Sequence, residues 1–420
     1  MGLKTPWPGS WQWKRDSYLP VLALAFLLRI VWVLAVPVHP VSDSYVYNLL
    51  AQSLASGHGY YWAPGIPTAY WPVGTSFVYS IIYRVFGASF TPIVVFNLAI
   101  SLGTIWLTMV LAERWFDRRV AIVAGYISAC WPLQIEFASV LASELIFNFL
   151  LVSLLAVWET RRLNPWVRAI LIGIFAAATC YIRPTGMLLP AILYAITVNR
   201  ERKYLRPIAG AAIALVVMAL AIAPWSVRNT HIFGHFELIS TNGGANLWMG
   251  NNPDGTGRTE DVPDSTLKMP EAERDIYLGK IAKAYIREHP VRFALRTFKK
   301  VYWLHDHETI GVHWNLAALQ QLYGERAVWC LKLLSDTYWW LVLLLGLTGA
   351  ILVILKHGIW VVFVSVPLVL WAYFTALHAV IVVQDRYHFP CLPFIAILAG
   401  VAICEVRRRI IAREIRATFS

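Results

Sequence analysis

The chain has 420 residues, of which 58% are hydrophobic and only 14% charged, with 20 Trp and a formal net charge of +12. Together with a mean hydropathy of +0.57, this composition excludes a soluble globular fold and describes a polytopic, all-α membrane protein. The positive charge argues for no nucleic-acid partner, because Lys and Arg fall in short clusters between apolar stretches, as membrane topology requires. Cys130, Cys180, Cys330, Cys391 and Cys404 stand in or beside apolar segments without metal-ligand spacing, and read as small hydrophobes.

Apolar runs long enough to cross a bilayer fall near residues 19–38, 91–112, 119–134, 143–159, 167–182, 186–198, 207–226, 333–355, 359–382 and 389–406. These predict about ten transmembrane helices. The first run keeps its apolar character throughout and has no small-residue cleavage site after it, so it is taken as a span and not a signal peptide. With that count, Lys14-Arg15, Arg114 with Arg118-Arg119, Arg161-Arg162, Arg200 to Lys203, Lys356 and Arg407 to Arg409 all fall on one side. The positive-inside rule then makes both termini cytoplasmic, in what reads as a plasma (inner) membrane. The expected organisation is a cytoplasmic N-terminus (1–18), a transmembrane module (19–226) containing an external loop (39–90), an external loop region (227–332), C-terminal transmembrane helices (333–406) and a basic tail (407–420).

Within the first external loop, residues 44–56 read as an amphipathic helix with Tyr45, Leu49 and Leu50 on one side. A second helix, 72–86, is apolar but is laid on the interface, since counting it as a span would invert every later loop. In the larger segment, the Asn/Gly-rich stretch from Ser240 to Gly255 predicts loops and turns. Periodic apolar residues from Pro270 to Leu304, interrupted at His289-Pro290, predict two helices lying against the membrane.

That topology brings Asp43, Glu136, Glu144, Arg183, Arg228, Asp385, Arg386 and His388 to the external boundary from distant parts of the chain. Ionisable groups at bilayer depth are expensive unless paired or wet, so their convergence points to a hydrated cleft. Each has a plainer reading: Asp43 as a helix cap, Glu144 as a charge favoured by a helix dipole, Arg386 as an interfacial anchor. His305, His307 and His313 with Asp306 and Glu308 match no zinc spacing and are expected to form a solvated interfacial segment. Tyr338-Trp339-Trp340 reads as an aromatic belt. Gly243-Gly244 lacks the rest of a phosphate-loop signature.

Several short words in this order resemble the GT-C superfamily of glycosyltransferases, and within it the protein O-mannosyltransferase-like and aminoarabinose transferase-like enzymes. They are Ser42-Asp43-Ser44-Tyr45, Leu141-Ala142-Ser143-Glu144, Arg183-Pro184-Thr185-Gly186, Gly243 to Trp248 with Asn251-Asn252-Pro253, and Gln384-Asp385-Arg386-Tyr387-His388-Phe389-Pro390. Some relatives have Asp-Glu where this chain has Asp43-Ser44, which sets it apart from protein mannosyltransferases proper. The resemblance implies a GT-C-type bundle that passes a sugar from a polyprenyl phosphate to a lipid, glycan or protein acceptor outside the membrane, with inversion. Asp43 would then be the general base, and Arg386, with His388, Tyr387, Arg183 and Arg228, would hold the donor phosphate. Glu144 and Glu136 would orient the acceptor or sugar, or Glu144 would share a divalent cation with Asp43. A lipid-linked sugar transporter or flippase, or a non-catalytic envelope scaffold, is the alternative; a transporter would be expected to show internal repeats and a midplane site.

Overall fold

A computed structural model describes residues 18–418, and side chains of residues 18–410. The Lys14-Arg15 cluster and nearly all of the expected N-terminal segment lie outside the described residues. Helices occur at all ten expected spans. Helix α1 (Leu19–Ala35) is followed by α2 (Asp43–Ala55), a two-stranded hairpin of β1 (Tyr61–Ala63) and β2 (Ile66–Pro67), and α3 (Val73–Phe86). Then come α4 (Phe90–Trp115), α5 (Arg118–Cys130), α6 (Pro132–Glu136), α7 (Ser143–Glu159), α8 (Pro165–Ile182), α9 (Leu189–Glu201) and α10 (Leu205–Phe233). The segment after α10 holds α11 (Gly243–Asn251), α12 (Glu271–Glu288), α13 (Pro290–Trp303) and α14 (Ile310–Trp314), before α15 (Leu316–His357), α16 (Val366–Val380) and α17 (Leu392–Thr418). Five of the described helices are long and apolar enough by themselves to cross a membrane, six if the bent pair α5–α6 is one span.

The core centres on α17, whose Phe394, Ile395, Leu398 and Ala399 are fully buried. α15 reaches it closely because Gly349 has no side chain: a Cβ there would stand 1.9 Å from the Leu398 carbonyl oxygen. The 58° bend between α5 and α6 follows from Pro132, which has no N–H to give to Ser128. Arg29 of α1 replaces the missing donors: its Nη2 donates to the Ser128 carbonyl at 3.2 Å, its Nη1 to that of Ala129 at 3.0 Å, and its Nε to Ser101 Oγ at 2.7 Å. A buried guanidinium in an apolar helix is tolerated because these oxygens satisfy it.

Several elements differ from the sequence expectation. In α2 the buried face is Ser44, Tyr47, Leu50 and Ala51, while Tyr45 is exposed; α3 packs on that face with Tyr79 and Tyr83 and so fixes which side turns in. α3 leaves Phe77, Ile81, Val85 and Phe86 exposed, the amphipathic character expected of an interfacial helix. α10 continues through Pro224 to Phe233, beyond the expected end at 226. α15 starts 17 residues before the expected 333, with a non-helical break at Gly324. The stretch expected to be turns contains α11, because Gly244 permits contact with α12; a Cβ there would lie 1.9 Å from the Asp275 carbonyl oxygen. Of the two helices expected against the membrane, α12 turns Glu273, Lys280, Lys283 and Arg287 outward.

Candidate active site

Asp43 is placed by an unusual piece of backbone. Ser42 has φ 51° and ψ −130°, in a region that non-glycine residues rarely adopt, and the chain turns there into the first residue of α2. Ser42 makes no side-chain cap, and Asp43 Oδ2 lies 2.7 Å from Arg386 Nη2. The carboxylate is therefore directed at a segment more than three hundred residues away in the chain, not spent on capping its own helix.

Arg386 belongs to a 3₁₀ segment, Asp385–Cys391, that leads into α17. Its Nε donates to Gln384 Oε1 at 2.8 Å, and its guanidinium lies over the rings of Trp314 (4.7 Å) and Tyr387 (5.4 Å). These contacts hold the group flat and mostly away from water. Nη1 stands 3.7 Å from Glu144 Oε1 and is buried without a hydrogen-bond partner. Asp385 supports the arrangement: its Oδ1 accepts the Arg386 N–H at 3.0 Å, and its Oδ2 accepts the N–H of Ile310 at 2.9 Å. The second bond fixes the start of α14, whose last residue is Trp314.

Glu144, in the first turn of α7, has no exposed side-chain surface. Its Oε1 takes Arg183 Nη2 at 2.5 Å, while Oε2 accepts the Ser143 hydroxyl at 3.2 Å. Ser143 Oγ in turn accepts Arg183 Nε at 2.9 Å. Arg183 stands at the end of α8, before the turn at Pro184–Gly186, with its guanidinium 5.7 Å from the Tyr387 ring centre. Glu144 Oε1 thus stands beside two guanidinia that both lie near the Tyr387 ring. Within reach of each other are Asp43, Glu144, Arg183, Arg386 and Tyr387, contributed by α2, α7, α8 and the segment before α17.

The structure takes His388, Glu136 and Arg228 elsewhere. His388 is fully buried, stacked at 4.1 Å on Trp339, with Nδ1 2.7 Å from the Leu304 carbonyl and Nε2 2.9 Å from Glu308 Oε1. Burial pushes the Glu308 carboxyl well above the usual carboxylate range. His388 Nδ1 donates to the Leu304 carbonyl, which leaves Nε2 to share a hydrogen bond with the Glu308 carboxyl. Glu136 accepts from Ser335 Oγ at 2.9 Å against α15. Arg228 donates to the carbonyls of Thr68 (2.9 Å) and Tyr60 (3.2 Å), so it ties the hairpin to α10.

The segment 305–313, expected to be solvated, is partly internal: Glu308 is 0% exposed and also accepts Trp131 Nε1 at 2.7 Å. Nor is Trp339 part of an aromatic belt; it is fully buried, stacked on His388 and packed beside His305. Sequence reading missed Gln384 and Trp314 as partners of Arg386. Gln384 lies inside a recognised word and was within reach; Trp314 carries no local signal. As for a divalent cation, the Arg386 guanidinium already stands between Asp43 and Glu144, and a metal shared by the two would have to replace it. Among the described residues no group of three or more His, Cys, Asp or Glu is arranged to hold a metal ion.

Comparison with solved structures places the fold. The archaeal oligosaccharyltransferase AglB from Archaeoglobus fulgidus, solved with an inhibitory peptide and a dolichol-phosphate, aligns with 97% of this chain and 52% of its own at a TM-score of 0.55 and 14% identity. The protein has the GT-C fold. A second structure of the Archaeoglobus fulgidus oligosaccharyltransferase, with Zn and sulfate, gives a TM-score of 0.55 at 15% identity, covering 93% of this chain and 49% of that one. ArnT from Cupriavidus metallidurans, bound to undecaprenyl phosphate, gives 0.50 at 14% identity, covering 96% of this chain and 64% of its own. This GT-C chain thus spans about half the length of the oligosaccharyltransferases it matches. The sequence model of the dolichyl-phosphate-mannose-protein mannosyltransferase family matches residues 71–227, which contain Glu144 and Arg183 but neither Asp43 nor Arg386. A search of curated protein sequences finds no match. The GT-C fold and the apolar helices make the chain an integral membrane protein.

Proposed function

We propose that the protein is a membrane glycosyltransferase that moves a monosaccharide from a polyprenyl phosphate to an acceptor hydroxyl or amine on the external side of the membrane. The observation that carries this reading is the contact of Asp43 with Arg386, itself beside the Glu144–Arg183 pair: one carboxylate next to two held guanidinia. Support comes from the ligands of similar folds, since AglB was solved with a dolichol-phosphate and ArnT with undecaprenyl phosphate.

In the reaction, the acceptor oxygen or nitrogen attacks the anomeric carbon as its proton passes to Asp43. The bond from that carbon to the phosphate oxygen breaks, and its electron pair leaves with the phosphate. Attack opposite the leaving group inverts the anomeric centre. Arg386 Nη1, buried and without a hydrogen-bond partner, is directed to a phosphate oxygen, with Arg183 beside it to share the developing charge. As the phosphate takes up the guanidinium, Asp43 is freed to accept a proton. Glu144 keeps the two cations together, a positioning task. The lipid tail lies between helices in the bilayer, the external region 227–332 covers the acceptor side, and no step runs through a metal.

The test is transfer of radiolabelled sugar from a panel of polyprenyl-phosphate donors in membranes containing the wild type or Asp43→Asn at equal protein level. Wild-type turnover reduced roughly 10²–10⁴-fold by Asp43→Asn is the expected result. Equal turnover by both would remove Asp43 as the base, and no turnover with any donor would remove the enzyme reading.

A further inference from the structure

α13 is an amphipathic helix turned inside out. At 100° per residue, Val291, Leu295, Phe298 and Tyr302 form one stripe, and they are 71%, 60%, 76% and 61% exposed. Diametrically opposite lies Lys300, which is 0% exposed. Its ammonium donates to the carbonyl oxygens of Ile381 (2.6 Å), Val380 (3.1 Å) and Gly250 (3.1 Å), at the C-terminal ends of α16 and α11. Arg296, on the same inner side, donates to the Asn252 carbonyl at 2.5 Å. Helix C-termini carry partial negative charge and unpaired carbonyls, so the polar face is the one that the protein needs. The apolar face is what remains outside.

A water-facing helix in this position would show the opposite arrangement, and its neighbour α12 does, with Glu273, Lys280, Lys283 and Arg287 outward. Contiguous exposed apolar residues mark a surface that is covered by something. Here the covering medium is set by continuity: Lys300 fixes α13 to the last turn of α16, an apolar helix of the bundle, so the exposed stripe continues the surface of the membrane-embedded part. Arg292 and Lys299, both exposed, flank the stripe at its edge, where cations on an interfacial helix meet phosphate headgroups.

We propose that α13 is an interfacial anchor whose Val291-Leu295-Phe298-Tyr302 edge is embedded among the phospholipid acyl chains of the leaflet on the site's side. Neither the donor nor the reaction enters this inference. It fixes the external region to the bilayer at the level of the 3₁₀ segment that carries Arg386, because the Lys300 contacts at Val380 and Ile381 come a few residues before it.

The experiment places an environment-sensitive fluorophore at Phe298→Cys in the full chain, with the exposed Cys330 replaced by Ser and the parent protein as blank, in nanodiscs with or without doxyl-labelled phosphatidylcholine. Leu295→Cys serves as a second position should Phe298→Cys fail to give folded protein, and Lys283→Cys on α12 as the water-facing comparison. The label at 298 or 295 is expected to emit at shorter wavelength and to lose most of its intensity to the doxyl lipid, while that at 283 responds to aqueous iodide instead. A label at 298 and 295 that iodide quenches and doxyl lipid does not would overturn the anchor; shielding from both quenchers would overturn it in favour of a protein contact.

Discussion

At the scale of single residues, the site depends on where guanidinium nitrogens are held, and two substitutions separate that from simple charge. In the proposed reaction Arg386 meets the phosphate through a planar group fixed by Gln384, Trp314 and Tyr387, and lysine offers neither the plane nor the second nitrogen. Arg386→Lys should lower transfer by roughly 10²-fold, measured as kcat with the donor saturating, although the charge is kept. A rate near wild type would mean that only the charge matters. Glu237, in the segment between α10 and α11, gives a pH-dependent counterpart. Burial, with Asp275 and Glu271 adding like charge, pushes its carboxyl up to about 7. The native state therefore keeps a proton that the unfolded chain releases from about 4.5 upward, so stability falls as pH rises through that window to about 7 and stays lower above it. Glu237→Gln should leave stability unchanged in mild acid and raise it at pH ~8 by roughly 1–2 kcal/mol, the shift being discounted for residual contact with water. Thermal unfolding in detergent at the two pH values reads this directly. As to legibility, Asp43, Glu144, Arg183 and Arg386 could be named from the sequence because charged residues at bilayer depth are rare. His388 and Arg228 looked equivalent to them and are not, since sequence gives the side of the membrane but not the direction of a side chain.

At the scale of elements, the region between α10 and α15 is held by close backbone contacts that leave little trace in hydropathy. α11 lies on α12 through Gly244 and on the segment after α16 through Gly250, where a Cβ would come within 2.0 Å of the Ile381 carbonyl oxygen. The Asn/Gly density of this stretch suggested turns because those residues are poor helix formers; here glycine is required where α11 meets a neighbour's backbone on each of two faces. Gly244→Ala adds helix propensity and yet should destabilise the protein by about 1–3 kcal/mol, as α12 must move off α11. Faster proteolysis within 243–288 in native membranes is the expected readout. Unchanged or slower cleavage would show that the two helices have room to adjust. The α5–α6 bend has a similar origin. Pro132 was visible, but the partner that makes the bend tolerable, Arg29, lies on another helix and was hidden inside an apolar run.

For the whole molecule, helices at the ten apolar runs were legible from hydropathy, although only five of the described helices, or six with the bent pair, are by themselves long and apolar enough to cross a membrane; the remaining helices are set by contacts and were only partly foreseen. Which face lies outside is a proposal from charge, argued from the ends of one helix. Glu144 opens α7 and Glu159 closes it, so they stand roughly 22 Å apart along its axis. The candidate site gathers at the first end. At the other, Glu159 accepts Trp115 Nε1 at 2.7 Å and pairs with Arg200 at 3.2 Å, while Arg200 Nε donates to the Val364 carbonyl at 2.9 Å. Tyr18, at the start of α1, donates to Glu113 near the end of α4, close in sequence to Arg114 and Arg118. The basic clusters therefore belong to the end away from the site, and on the positive-inside rule we propose that this end is cytoplasmic. In intact cells, a membrane-impermeant maleimide should label Lys283→Cys on α12 and leave Lys356→Cys, at the end of α15, unlabelled until the membrane is opened. The reverse pattern would invert the topology and put the carboxylate and its guanidinia on the cytoplasmic face, where a sugar donor would no longer have to cross the bilayer before reaching Asp43.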